Sequence, residues 1–251
     1  MSGHSKWSTI KRKKGALDAK RGKIFTRIIK DINISIKDGG SSDPDSNPRL
    51  RLAIANAKGA NMPKDNITRA IKKAEDKGGE SYLETTYEGY GVAGIALFVE
   101  ASTDNLKRTV ANVRAIFSKY EGSLGTNGSL EFIFDRKGVF TIPLSALEEW
   151  EMDDLEMELI DGGVEDFEKD EEMLTIFTSF EDFGNMQKKL EELKIEPESQ
   201  ELQRIPKTTQ TVGIEEGKKI LLILEKFEED DDVNAIFHNM EMTDELMEEM
   251  E

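Results

Sequence analysis

Apolar side chains recur at helical spacing early in the chain. Between residues 24 and 36 they occupy the positions of one helical stripe: Ile24, Phe25, Ile28, Ile29, Ile32 and Ile36. Intervals of three and four residues predict an amphipathic α-helix that buries this stripe. The basic residues expected on its other faces are Lys20, Arg21, Lys23, Arg27 and Lys30. Gly39-Gly40 predicts the end of the helix.

Two shorter helices are predicted after a polar loop. Asn47 precedes Pro48, which indicates an N-cap followed by proline at the first helical position. The apolar positions that follow are Leu50, Ala53, Ile54 and Ala57. After the break at Met62-Pro63, a third stripe is formed by Ile67, Ala70, Ile71 and Ala74. Since three helices can bury these stripes against one another, we predict an all-helical domain over residues 1–78.

After residue 78 the hydrophobic pattern predicts β-strands as well as helices. The apolar run Val92–Ala101 predicts a central strand. A helix with apolar positions from Leu106 to Tyr120 follows it, and Thr103 or Asp104 is the expected cap. Ser129–Phe134 predicts another strand.

Residues 136–207 contain a complete set of elements of their own. Their pattern predicts the order β-α-β-β-α-β, which is the ferredoxin-like unit. The helix and strand predicted over residues 208–251 cannot form a domain alone, but they can complete the sheet begun before residue 135. We therefore predict an α+β fold of three domains. After the helical domain comes a discontinuous α/β domain, residues 79–135 plus 208–251, and a ferredoxin-like domain, residues 136–207, is inserted into it.

Charge is divided unevenly along the chain. The net charge of −17 would argue against nucleic-acid binding if it were evenly spread. Residues 1–77, however, hold 19 basic and 8 acidic side chains, whereas residues 141–251 hold 9 basic and 35 acidic ones. A phosphate backbone attracts the first group and repels the second, so the division indicates a basic binding module joined to an acidic body. The alternative is an acidic surface that only provides solubility.

The composition excludes several classes of protein. The chain has no cysteine, which excludes disulfides, thiolate nucleophiles and cysteine-ligated metals. No run approaches the roughly 18 uncharged apolar residues of a membrane-spanning helix, and the N-terminus lacks the apolar run of a secretory signal. We expect a soluble, cytoplasmic protein without a small-molecule substrate, either a monomer or a weak homo-oligomer.

No catalytic or metal-binding arrangement stands out. Gly89–Gly94 has the spacing of a dinucleotide fingerprint, but a strand follows where that motif needs a helix, so a glycine-rich turn is the better interpretation. His4 and His238 have no nucleophile motif beside them. The run Glu228–Asp232 lacks the spacing of a calcium loop and is read as a solvated acidic face. We expect no cofactor, no metal site and no enzymatic activity.

The candidate nucleic-acid contacts lie in the first predicted domain. Residues 1–30 hold ten basic side chains and one acidic one, and clustered lysine and arginine neutralise phosphates. Trp7 is either a stacking platform for an exposed base or a core residue. In the absence of a base-reading motif, we expect recognition of backbone or shape. The candidate residues are Lys6, Trp7, Lys11, Arg12, Lys13, Lys14, Lys20, Arg21, Lys23, Arg27, Lys64, Arg69, Lys72 and Lys73.

Several sequence blocks resemble the YebC family. They are GHSKWSTIKRKKGALDAKRGKIFTRIIKDI, NPRLRLAI, ANMPKDNITRAIKKA, YEGYG, VEASTDNLKRT and GSLGTNGSLEF. The resemblance is dense from Ser2 to about Arg136 and weaker beyond. Bacterial members of this family are described as transcriptional regulatory proteins, and a mitochondrial relative is a translational activator for a cytochrome oxidase subunit.

The resemblance implies three domains without a catalytic centre. It adds His4 and Ser5 to the candidate contacts by motif match, and it shows one departure, Val92-Ala93 in place of the family's Pro-Gly. It implies DNA binding for some members and ribosome association for others. Two functions therefore stay open, a transcriptional regulator on duplex DNA and a translation factor on ribosomal RNA. The family's description favours DNA, whereas the lack of a recognisable major-groove helix favours RNA. An adaptor whose basic domain docks on a protein is a third option.

Overall fold

The described part of the protein, residues 17–76 and 81–248, is a mixed α+β fold in which N-terminal helices precede two β-sheets. It is taken from a computed structural model, and side chains are described from residue 22 onward. The chain divides into two compact units. Among the described residues, the first unit holds 17–30, 81–135 and 205–248, and the second unit holds 31–76 and 136–204.

The three predicted N-terminal helices are confirmed. They are α1 (Leu17–Gly39), α2 (Pro48–Gly59) and α3 (Lys64–Glu75). Asn47 is the N-cap of α2, as predicted: its Oδ1 accepts a hydrogen bond from the N–H of Leu50 at 3.1 Å. The Nδ2 of the same side chain donates to the carbonyls of Ser35 and Ser41, both at 2.8 Å. This one buried amide therefore ties α1, the loop and α2 together.

The predicted apolar stripe of α1 is only partly correct. Ile28, Ile32 and Ile36 are buried, but Ile24 and Ile29 are exposed. The stripe also does not describe residues 32–36, which are all buried, including Asn33 and Ser35. A helix that is covered on every side does not follow the single-stripe rule of a surface helix.

The sheet of the first unit has the order β3-β1-β2-β8, and its paired strands are antiparallel. Its strands are β1 (Leu83–Tyr90), β2 (Ala96–Thr103), β3 (Ser123–Leu124) and β8 (Val233–His238). The helices of this unit, besides the first part of α1, are α4 (Leu106–Lys119), α7 (Ile214–Glu229) and α8 (Asp244–Glu248). Because β8 pairs with β2, residues after 207 complete the sheet begun before residue 135. Phe117 and Phe227 meet edge to face in the core beneath it.

The sheet of the second unit has the order β5-β6-β4-β7. Its strands are β4 (Phe134–Pro143), β5 (Val164–Lys169), β6 (Met173–Ser179) and β7 (Ser199–Pro206), and its helices are α5 (Met152–Asp161) and α6 (Phe183–Glu192). The chain order β-α-β-β-α-β is therefore confirmed, and the spatial order is the ferredoxin-like one. Phe140, Leu155, Ile176 and Met186 lie in the core between sheet and helices.

Three local predictions are wrong. Ser129–Phe134 is not a strand, because residues 131–133 form a short 3-10 turn and β4 begins only at Phe134. The strand predicted from Val92 begins at Ala96, and the preceding segment is the expected glycine-rich turn, with Ala93 at a φ of +56°. The cap of α4 is Asn105, whose side chain accepts from the N–H of Arg108.

The three-domain division stays a prediction. Residues 31–76, which carry most of α1 to α3, cluster with residues 136–204, whereas the beginning of α1 clusters with the first unit. Among the described residues, no helix has the length and apolar character needed to cross a membrane.

Candidate nucleic-acid interface

The predicted contacts nearest the N-terminus lie outside the described residues. They are His4, Ser5, Lys6, Trp7, Lys11, Arg12, Lys13 and Lys14. Lys20 and Arg21 lie within α1, in the part of the helix whose side chains are not described.

Lys23 and Arg27 lie on the first-unit part of α1 and are half-buried. The Nζ of Lys23 donates to the carbonyl of Glu228 at 3.0 Å. This carbonyl belongs to the last turn of α7, where the helix dipole places partial negative charge that favours a cation. Lys23 and Arg27 also line a shallow cavity together with Asp230 and Asp231. At least Lys23 therefore has a structural contact that the sequence did not reveal.

The predicted contacts on α3 lie on its exposed sides. Lys64, Arg69, Lys72 and Lys73 are all exposed. The side chains buried from this helix are Ile67, Ala70 and Ala74. At 100° per residue, Arg69 and Lys72 lie on the side of the helix opposite these buried residues, beside the exposed Asp65, and Lys64 and Lys73 lie on its two flanks. The helix thus presents a basic face to a partner.

A short connection links α2 to α3. It consists of the four residues Ala60–Pro63. Asn61 adopts a left-handed conformation with a φ of +56°, which asparagine tolerates better than most residues. Met62 is buried and its N–H donates to the carbonyl of Ala57 at 2.8 Å, which fixes the turn. A turn of this length between two helices is found in the helix-turn-helix motif.

A buried ion network lies beside the basic residues of α1 in the first unit. Lys30, which we expected on a polar face, is only 5% exposed. Its Nζ donates to the carbonyls of Ser102 at 2.9 Å and Asp231 at 2.6 Å, and it lies 3.5 Å from Oδ1 of Asp232. Its ammonium also lies over the ring of Tyr82. The network therefore anchors α1 within its own unit.

Asp232 is the centre of this network and is 6% exposed. The Arg108 guanidinium donates to both of its carboxylate oxygens, at 2.9 and 2.8 Å. The hydroxyls of Thr109 and Thr103 donate to Oδ2, at 2.8 and 3.2 Å. The reading of residues 228–232 as a wholly solvated acidic face is therefore wrong at Asp232, because cations and hydroxyls compensate the cost of burying this charge.

The same contacts control the pKa of Asp232. Burial alone raises the pKa of this carboxyl, because it disfavours the charged form. The hydrogen bonds from Arg108 and Thr109 and the charge of Lys30 act in the other direction. Together they hold the pKa below its ordinary value of 3.8, so Asp232 is ionised at neutral pH.

A second buried carboxylate organises the loop that follows β3. Glu88 on β1 is 1% exposed. Its two oxygens accept hydrogen bonds from the N–H groups of Gly128 and Leu130, each at 2.6 Å. The backbone carbonyl of Glu88 accepts from the N–H of Gly125 at 2.7 Å. These bonds hold residues 125–130 against the sheet and explain why no strand forms from Ser129.

Sequence reasoning missed these structural roles, although two of the quoted blocks contain the residues. STDNLKRT supplies Thr103, Asn105, Arg108 and Thr109, and YEGYG supplies Glu88. A buried position was not evident because the partners are far away in the chain: 124 residues separate Arg108 from Asp232. The two sites hold the fold together and leave the exposed basic residues as the candidate interface.

Family models match nearly the whole chain. A model described as the TACO1/YebC protein N-terminal domain matches residues 5–77. A second, described as TACO1/YebC second and third domain, matches residues 82–240. The chain belongs to the TACO1/YebC family. The resemblance inferred from its sequence blocks is thereby confirmed.

Full-length relatives agree with this membership of the TACO1/YebC family. A protein of Brachyspira hyodysenteriae is 46% identical over 250 residues, which is 99% of this chain and 100% of the relative. One of Amoebophilus asiaticus is 48% identical over 242 residues, covering 96% and 98% of the two chains. Each is named a probable transcriptional regulatory protein. The crystal structure of a conserved hypothetical protein from Aquifex aeolicus matches with a TM-score of 0.81 at 37% identity, covering 91% of this chain and 93% of the other.

Proposed function

We propose that this TACO1/YebC protein is a non-enzymatic regulator of gene expression that binds duplex DNA through its basic N-terminal residues. The observation that carries the proposal is the exposed basic face of α3, with Lys64, Arg69, Lys72 and Lys73. The short α2–α3 connection supports it, because helix-turn-helix proteins use such a turn to present their second helix to the major groove. The names of the relatives from Brachyspira and Amoebophilus agree with a role in transcription.

The distribution of charge favours one orientation of the protein on DNA. Residues 1–77 have an excess of 11 positive charges, and the rest of the chain has an excess of 28 negative ones. DNA attracts the basic residues and repels the acidic ones, so an encounter through the N-terminal residues is favoured. With lysine and arginine as the main exposed groups of α3, we expect most contacts to be with phosphates rather than base edges.

The absence of enzymatic activity is part of the proposal. The buried lysine, aspartate and glutamate side chains of the described residues are Lys30, Glu88 and Asp232. All three bind other parts of the chain through hydrogen bonds or ion pairs. A general acid or base must instead reach a substrate. Because these three side chains stabilise the fold and do not face a substrate, they support a binding role for the protein over a catalytic one.

Ribosomal RNA is the second candidate target. The observation that favours it is the composition of the exposed sides of α3, where Asn66 is half-buried and the exposed polar residues are lysine, arginine, threonine, aspartate and glutamate. Such a surface offers contacts with phosphates. It has few of the asparagine or glutamine side chains that typically recognise base edges in the major groove. Recognition of a folded RNA by shape and backbone would need no more than this.

Sedimentation of the protein in DNase-treated lysate distinguishes the two targets. We expect it to stay at the top of a sucrose gradient at low and moderate salt, and to bind duplex promoter fragments when purified. Co-sedimentation with ribosomes that is lost as salt rises would replace DNA by ribosomal RNA as the target. Failure to bind either nucleic acid would refute the proposal in both forms.

Neutralising the basic run near the N-terminus is expected to weaken DNA binding. The variant replaces Lys11, Arg12, Lys13 and Lys14 by alanine. Each phosphate contact that is lost should reduce the slope of log affinity against log salt by about 0.9, because fewer counterions are released. Fluorescence anisotropy over a salt series measures the slope, and circular dichroism checks that the fold is retained. An unchanged affinity and slope would move the contact surface away from this run.

The basic face of α3 is expected to contribute independently. Replacing Arg69 and Lys72 by alanine removes two exposed charges and should lower the salt slope by up to about 1.8 for duplex DNA. The matched control replaces Lys107 and Arg114, which are exposed on α4. The same anisotropy titration should show little change for this control. Equal losses for both pairs would indicate a general effect of net charge and not a contact through α3.

A further inference from the structure

The chain contains a single Asn-Gly pair, Asn127-Gly128, which is exposed in the loop after β3. In such a pair the backbone nitrogen of the second residue can attack the side-chain amide of the asparagine. Glycine favours this attack because it has no side chain to hinder the approach. Each of the other ten asparagines precedes a residue that carries a side chain. The sequence therefore singles out Asn127 as a candidate for deamidation.

A tight turn holds Asn127 and Gly128 as its two central residues. The N–H of Ser129 donates to the carbonyl of Thr126 at 3.1 Å, and Gly128 has a φ of +87°. These are the features of a type II turn, in which the first central residue has an extended backbone. To reach Cγ of Asn127, the Gly128 nitrogen must rotate about the Cα–C bond of Asn127, and this turn opposes that rotation. The folded turn is therefore not the reactive conformation.

Glu88 binds the nitrogen that would have to attack. Its Oε1 accepts a hydrogen bond from the N–H of Gly128, and its Oε2 accepts one from the N–H of Leu130, each at 2.6 Å. The Gly128 nitrogen must lose its proton before it can attack. A carboxylate at this distance retains the proton and opposes a second negative charge beside its own. Because Glu88 is only 1% exposed, little water screens this effect.

We propose that Asn127 is a site of spontaneous deamidation and that Glu88 sets its rate by holding the Gly128 nitrogen. The reaction requires the loop of residues 125–130 to leave Glu88, so its rate follows the population of the locally opened loop. This inference is separate from the proposed DNA contact, because none of these residues is among the candidate nucleic-acid contacts.

Deamidation at Asn127 needs water as its co-reactant. A solvent base removes the proton of the Gly128 nitrogen, and the electron pair of this nitrogen forms a bond to Cγ of Asn127. The Cγ–Nδ2 bond breaks, and Nδ2 leaves as ammonia with a proton returned from the solvent, so that a cyclic imide remains. Water then opens the imide at Cγ, which gives aspartate, or at the main-chain carbonyl carbon of Asn127, which gives isoaspartate.

The isoaspartyl product does not fit the native turn, because its main chain is longer by a methylene group before Gly128. Either product also adds a carboxylate to a loop that is held by the carboxylate of Glu88. Leu130 is fully buried and packs against Phe98 and Phe134 on this face of the sheet. We therefore expect the modification to release the loop and to uncover this apolar cluster.

The test follows deamidation of Asn127 in the full chain during incubation at mildly alkaline pH. Trypsin releases residues 120–136, in which Asn127 is the single asparagine. Mass spectrometry of this fragment after different times gives the rate. A synthetic peptide of the same sequence gives the rate without the fold. The protein variant is Glu88→Gln, which keeps the length of the side chain but offers one acceptor oxygen.

Two matched controls separate the bonds to Glu88 from more general effects. Glu131→Gln removes a neighbouring exposed charge within the same tryptic fragment. Asp232→Ala destabilises the same unit through the network around Lys30 and Thr109, which does not include the loop. Circular dichroism checks that each variant is folded at the temperature of incubation.

We expect the native chain to deamidate at least about tenfold more slowly than the peptide. Glu88→Gln should react about tenfold faster than the native chain, since one lost hydrogen bond changes the population of the open loop by about this factor. Both controls should react at nearly the native rate.

Four results would overturn the proposal. A native rate equal to that of the peptide would show that the fold gives no protection, and an unmodified Asn127 in Glu88→Gln would remove the site. Slower reaction in Glu88→Gln would make Glu88 a base that promotes deamidation. Equal acceleration by Asp232→Ala would show that global unfolding, and not release from Glu88, controls the rate.

Discussion

Replacing Asp232 by alanine is expected to lower the free energy of unfolding by about 3–5 kcal/mol. The substitution leaves Lys30 buried without its carboxylate, and it removes the shared acceptor of Arg108 and Thr109. Breaking one side of a buried ion pair costs more than the pair contributes, because the remaining charge cannot return to water. Urea unfolding followed by circular dichroism measures the loss.

Asp104→Ala is the matched control, because Asp104 also binds Arg108 but is half exposed. Exposed ion pairs contribute at most about 1 kcal/mol, so the control should be nearly neutral. The double variant Lys30→Met with Asp232→Ala should recover part of the loss, since no charge is then left buried. Losses of equal size for Asp232→Ala and Asp104→Ala would show that the buried network is not the stabilising feature.

The stability that Asp232 contributes also has a defined pH dependence. The pKa of Asp232 is lower in the folded protein than its ordinary value of 3.8. A lowered folded pKa contributes stability that is fully present above the ordinary value and is lost as pH falls through the folded value. The stability difference between the native protein and Asp232→Asn should therefore stay constant from neutral pH to about pH 4–5 and narrow below it. A difference that narrows already near neutral pH would contradict the lowered pKa.

The second large effect is expected at Glu88. Glu88→Ala leaves the buried N–H groups of Gly128 and Leu130 without their acceptor, at a cost of about 1–3 kcal/mol for each. We expect the loop of residues 125–130 to open, so that amide exchange at Gly128 and Leu130 accelerates strongly. Two-dimensional NMR exchange measurements report this directly, and urea unfolding gives the total loss.

Glu88→Gln tests the two hydrogen bonds without shortening the side chain. A glutamine has one acceptor oxygen, so one of the two N–H groups keeps a partner and the loss should be intermediate. Glu131→Gln, in the exposed turn that follows the loop, removes a neighbouring charge without touching this arrangement. Rapid exchange at Leu130 in the Glu131 variant as well would mean that charge near the loop, and not the bonds to Glu88, orders it.

Local sequence signals were sufficient to predict most of the helices. Asn47-Pro48 fixed the start of α2 because a cap and the proline after it act within one turn. Strand β1 was missed for a physical reason. Its sequence LETTYEGY is largely polar, and its inward-facing Glu88 is accommodated only because the loop near Leu130 supplies donors. Such compensation depends on residues that are distant in the chain and leaves no periodic trace.

The candidate site shows the same limit. The basic face of α3 was predictable because helix periodicity alone separates Lys72 from Ala70 and Ala74. The burial of Lys30 on α1 was not predictable, because this residue has the same local sequence context as its basic neighbours. Its burial depends on Asp231 and Asp232, which lie more than 200 residues later. Charge counting therefore predicted a basic module, but it placed Lys30 among the outward-facing cations although this side chain is buried.

The pairing of β2 with β8 delays completion of the first unit during translation. All residues of the second unit have been translated once residue 204 is complete, whereas the first unit waits for β8 at Val233–His238. Asp231 follows Lys30 by 201 positions, which corresponds to about 10–40 s at typical elongation rates of 5–20 residues per second. Throughout that interval Lys23 and Lys30 lack the carbonyls of residues 228 and 231 that later bind them. A nascent chain therefore carries more uncompensated positive charge at its beginning than the finished protein does.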